Sequence, residues 1–154
     1  MTSAADLELP RSYESATHGH DPLSEERALT RVNDLLVLRA DCGSWWSAIA
    51  RSVDDLIDVM WEHRADGHGG LHRDLLEEHP RLAFQIRSLE KDHTELTEEL
   101  AQLRALIGAS IGRPGGVAEV LAAATEMVAR IRGHQRRART LVVEAYQRDL
   151  GSGE

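Results

Sequence analysis

The chain has 154 residues, of which 42% are hydrophobic and only 4% aromatic, and 18 basic against 26 acidic side chains leave a formal net charge of −8. That length is enough for one domain with a core of its own, the acidic balance disfavours nucleic acid and anionic membrane as partners, and a single cysteine, Cys42, excludes both a disulfide framework and a paired-thiolate zinc cage. With no basic leader and no membrane-length apolar run, a soluble, cytoplasmic protein is expected.

Residues 1–22 hold Pro10, Gly19 and Pro22 among polar residues without periodicity and read as a mobile N-terminal arm. A single unit over residues 23–151 follows. Ser24-Glu25-Glu26-Arg27 has the form of a helix start with Ser24 as N-cap, and Leu29, Val32, Leu35 and Leu36 supply the stripe of a first helix to about Ala40. After a break at 41–44, Trp46, Ile49, Val53, Leu56 and Met60 step by three and four along a second helix that ends near Asp66, before Gly67, Gly69 and Gly70. Residues 71–79 are expected to make a short helical piece. The third stripe, Leu82, Ile86, Leu89, His93, Leu96, Leu100, Leu103 and Ile107, is unbroken. Gly112-Arg113-Pro114-Gly115-Gly116 ends it. The fourth stripe runs Val117, Val120, Ala124, Met127, Ile131, His134, Ala138, Leu141 and Ala145. No strand pattern survives, so an all-α, up-down-up-down four-helix bundle is expected.

Three histidines fall on stripes drawn from apolar residues alone. His63 extends the second, while His93 and His134 interrupt the third and fourth, so all three are expected to face the interior. His93 lies eighteen residues before Ile111 and His134 eighteen after Gly116, which sets each about 27 Å from the same connection and level with the other. His63 sits higher by this count, unless residues 71–79 fold back over the bundle end or the second helix runs on. Neutral imidazoles converging from separate helices suit iron, zinc or manganese. Glu90, three residues before His93, and Asp66 or His68, just past His63, are the further candidate ligands. The alternative is a set of core histidines hydrogen-bonded within the fold.

These residues resemble the hemerythrin-like, or HHE cation-binding, family. Glu62-His63 followed by Gly69-Gly70-Leu71, Pro80-Arg81-Leu82 and Leu89-Glu90-Lys91-Asp92-His93 looks like that family's second and third helices, and His134 with Leu141 and Glu144-Ala145-Tyr146-Gln147-Arg148-Asp149 is similar to its fourth. The resemblance implies a four-helix bundle with a non-haem, oxo-bridged di-iron site that binds dioxygen, nitric oxide or peroxide. Several ligand positions of the family are differently occupied: the first helix offers only Asn33 or Asp34, and Gly67, Thr97, Ala138 and Arg139 stand where carboxylates or histidine are expected. The ligand set therefore points to a mononuclear iron site rather than a bridged pair. Its use would be sensing, binding or storage of iron or a diatomic gas rather than turnover. A metal-free bundle of the same fold acting as a protein-interaction module is the competing expectation.

Other features carry less. Arg130, Arg132, Arg136, Arg137 and Arg139 read as a solvated face paired with neighbouring carboxylates. Trp45, Trp46 and Trp61 read as core or bundle-end packing. His68, His72 and His79 read as surface histidines, and Cys42 as a reactive thiol only if exposed with a lowered pKa.

Overall fold

The computed structural model describes residues 22–64 and 69–149. Residues 1–21 of the expected arm and the candidates Asp66 and His68 lie outside the described residues, whereas Pro22, the arm's last expected residue, belongs to the first helix. Among those that are described, the secondary structure is entirely helical: α1 (Pro22–Leu38), α2 (Gly43–Glu62), α3 (Gly69–Glu78), a 3-10 turn (Pro80–Leu82), α4 (Ala83–Ser110) and α5 (Gly116–Asp149). The four long helices contact one another in a closed ring, α1 on α2, α2 on α4, α4 on α5 and α5 back on α1. None is long and apolar enough to cross a membrane among the described residues.

Helix α1 begins at Pro22, so Ser24 lies inside the first turn and is not the N-cap the sequence suggested. A proline that lacks an N–H loses nothing at a helix start, where that group has no intrahelical acceptor. The other end stops where Arg39 turns to φ 43°, and the indole of Trp45 donates to Leu35 O at 2.9 Å, capping a terminal carbonyl from the next helix. Trp46 Nε1 donates likewise to Asp41 Oδ1 at 2.9 Å, and the two indoles meet edge to face. Both are buried. Trp61 is not: its ring is exposed and lies under Arg64, because it stands one residue off the Met60 stripe.

The stripes bury as their periodicity requires. In the third every residue is below 6% exposed, and in the fourth only Val117 and Ala138 are partly open. The core they build is nonetheless divided. The larger cluster joins α1 and α2 to residues 96–107 of α4 and 120–131 of α5; the smaller joins Leu75, Leu82, Ile86 and Leu89 to Leu141 and Ala145. On α4 the boundary between them is His93, and on α5 it is His134. Helix α2 ends at that level, and α3 covers the cluster beyond it.

The α4–α5 connection shows why its glycines are required. Gly112 and Gly115 adopt φ of 71° and 76°, which side chains with a Cβ resist. Gly116 has another reason: a Cβ there would stand 2.3 Å from the carbonyl oxygen of Ser110, the last residue of α4.

Candidate functional site: a buried histidine layer

Four helices contribute to a polar layer between the two apolar clusters. The His63 and His93 rings stack with centroids 6.0 Å apart, and the His93 and His134 rings lie 5.6 Å apart at 49°. The expected equal height of His93 and His134 is therefore met. His63 is also beside His93, not well above it. The reason is that α2 gives out at Glu62 into a π-helical turn at His63–Arg64, and α3 then folds back along the start of α4, as the sequence allowed.

Each imidazole is oriented by a neighbour. His93 Nε2 donates to Met60 O at 3.0 Å, which fixes the proton on that nitrogen and leaves the lone pair on Nδ1. His134 Nδ1 donates to Asp92 Oδ2 at 2.7 Å, so its lone pair is on Nε2. Asp92 also receives Arg137 at 2.6 Å and lies 3.8 Å from Arg130. Glu25, buried in the first turn of α1, accepts from Gln135 Nε2 at 2.9 Å and stands 3.7 Å from His63 Nδ1. Glu90 turns towards α3, where its carboxylate is 3.3 Å from His72 Nδ1.

His72 and His79 overturn the surface reading: both are buried, at 4% and 6% exposure. They share a face of α3 and its continuation with Leu75, at spacings of three and four, and that face seals the smaller cluster. His79 meets the Tyr146 ring edge to face. Burial pushes the His72 imidazole below the ordinary histidine range against the opposing pull of Glu90. Burial does the same to His93, helped by His134 and opposed by the Met60 carbonyl. Both rings are thus neutral in the fold near pH 7, as metal ligation requires.

This has a consequence for stability. As pH falls through the ordinary histidine value of about 6.5, the unfolded chain takes up protons at these positions and the folded one does so only at lower pH. Stability is full above that value and is lost as the pH drops towards the folded pKa values. We expect the Tm of chelator-treated protein to fall steadily between pH 7.5 and 5.5. His72→Gln with His93→Gln should flatten that slope, and a wild-type Tm that stays constant or rises over the interval would contradict it.

Of the sequence candidates, then, His63, His93 and His134 are brought together, while Glu90 serves His72 on the outer side. Asp92 escaped the sequence reading because it lies off the apolar stripe of α4 and looks like a surface acid, whereas Glu25 continues the α1 stripe four residues before Leu29 and was read only as a first-turn carboxylate. Among the described residues no group of three or more histidine, cysteine or acidic side chains is gathered so that it could hold a metal ion. The donor set fits a metal in kind, as oriented neutral imidazoles, but not in number. The arginines of α5 do pair across helices, Arg130 with Glu99, Arg132 with Glu26 and Arg137 with Asp92. Cys42 is exposed, and the Ser44 hydroxyl beside it lowers its thiol pKa. No protein-family model, curated protein or solved structure matches the chain.

Proposed function

We propose that this protein is a hemerythrin-like, up-down-up-down four-helix bundle that takes up one transition-metal ion, iron foremost, at its histidine layer. The observation that carries the reading is the paired orientation of His93 and His134 in the core. One donates to a carbonyl and the other to a carboxylate, the outer contacts that fix tautomer and direction in metal-ligating histidines. His63, at the distorted end of α2, is the third nitrogen donor, and Asp66 or His68 in the adjoining link would complete the set. Bound iron would supply affinity for a small diatomic ligand, in keeping with sensing or storage. The residues of the layer would hold neutral donors in place between the two apolar clusters.

The competing reading is a metal-free bundle used as a protein-interaction module, and Gly67, Thr97, Ala138 and Arg139, at positions where the resembled family carries ligands, favour it. Elemental analysis separates the two. Untagged protein purified without chelator and reconstituted anaerobically with ferrous iron should hold about one iron per chain, and His93→Leu with His134→Leu should remove it. Less than about a tenth of an equivalent of any transition metal, measured under those conditions, would leave the metal-free reading in possession.

A further inference from the structure

On the outer side of the histidine layer a pocket of about 390 Å³ opens between the end of α2, α3 and α4. Its floor is made by His72 and His93. Three cations stand around it: Arg64 just past α2, and Arg87 and Lys91 one turn apart on α4. Among the described lining residues Glu90 is the single carboxylate, and it faces His72. With neutral imidazoles the described lining residues therefore carry a net charge of +2, in a chain whose total is −8.

Among the described residues Arg64 and Arg87 make no ion pair with a carboxylate. Arg64 is placed over the Trp61 ring, 5.8 Å from guanidinium carbon to centroid, a contact that orients the side chain without neutralising it. Lys91 lies 3.5 Å from Glu95, but that pair is largely solvent-exposed and worth little. Arginine forks match phosphate oxygens in geometry as well as charge, and a basic concavity on an acidic surface concentrates anions at that one place. The volume lies near the lower end of small-molecule pockets.

We propose that this pocket binds a small phosphate-bearing anion, held by Arg64, Arg87 and Lys91 above the His72 and His93 floor. The pocket shares His93 with the proposed metal layer, so it is tested on chelator-treated full-length protein, where the outcome is separate from that of the iron reading. Titration at constant ionic strength would use two probes, inorganic phosphate and glycerol phosphate, followed by calorimetry and by the amide signals of His93 and Thr94.

Saturable one-site binding with a dissociation constant of about 1 mM or tighter is expected for at least one probe. Binding of both assigns the phosphate group itself, and binding of the ester alone assigns a phosphomonoester. Arg64→Gln with Arg87→Gln and Lys91→Gln, all at the protein surface, should weaken binding about tenfold or more. Arg132→Gln with Arg136→Gln on α5 should leave it intact. No saturation below about 10 mM with either probe, or equal affinity in the triple variant, would overturn the assignment.

Discussion

Gly116→Ala is expected to destabilise the protein by about 3 kcal/mol, a fall in Tm of roughly 6–12 °C for a chain of this size. The added methyl would lie 2.3 Å from Ser110 O and 3.1 Å from both the Ser110 carbonyl carbon and its Cβ. Backbone is what it meets, so relief requires moving the end of α4 or the start of α5. That carbonyl also accepts from Arg113 N at 3.1 Å, and Ser110 is fully buried, so any retreat breaks a turn hydrogen bond and disturbs packing. Gly108→Ala provides the contrast. Gly108 is exposed within α4 with open space where its Cβ would go, and alanine there should stabilise by about 0.5–1 kcal/mol. Thermal denaturation of the two variants checks both signs, and an unchanged Tm for Gly116→Ala would show that the connection is looser than its geometry indicates.

Asp92→Ala should cost about 2–3 kcal/mol, most of it from leaving the His134 Nδ1–H donor buried without its acceptor. His134 is 3% exposed, so water does not readily replace the carboxylate. The Arg137 partner, more than half exposed, adds little of its own. Asp92→Asn keeps an oxygen that accepts from His134 and should lose about 1 kcal/mol. Urea denaturation gives these differences, and the nitrogen shifts of the His134 ring report its tautomer directly. A ring that keeps its proton on Nδ1, in an Asp92→Ala protein of unchanged stability, would show that Asp92 does not orient it.

What the sequence made legible follows from how each residue is placed. The stripes of α2, α4 and α5 are long enough for their three-four alternation to identify the buried face, and His63, His93 and His134 were visible because they share those faces. The short α3 has too few turns to declare one. The buried face of α3 and the residue that follows it consists of His72, Leu75 and His79, and both histidines passed for surface residues. Asp92 stood beyond periodicity altogether: it adjoins His93 on α4 and meets α5 at the margin of the interface, where an acid looks like any other. Trp61 failed in the opposite sense, since a large apolar side chain invites a core reading that its position beside Met60 denies. The division of the core depended on knowing that α2 stops at the histidine layer while α4 and α5 pass through it.

The polar layer also fixes helix register. Apolar stripes of leucine, isoleucine and valine accept a slip of one turn at modest cost, since one aliphatic side chain replaces another at the interface. Such a slip of α5 along α4 would carry His134 from the level of His93 to that of Leu89 or Thr97, away from Asp92, and would leave its imidazole donor in an apolar setting. A polar pair within a hydrophobic seam is a known means of selecting one alignment over its neighbours. Here His93 and His134, each tied to an acceptor at its own height, make one alignment of α4 and α5 distinct from those a turn away.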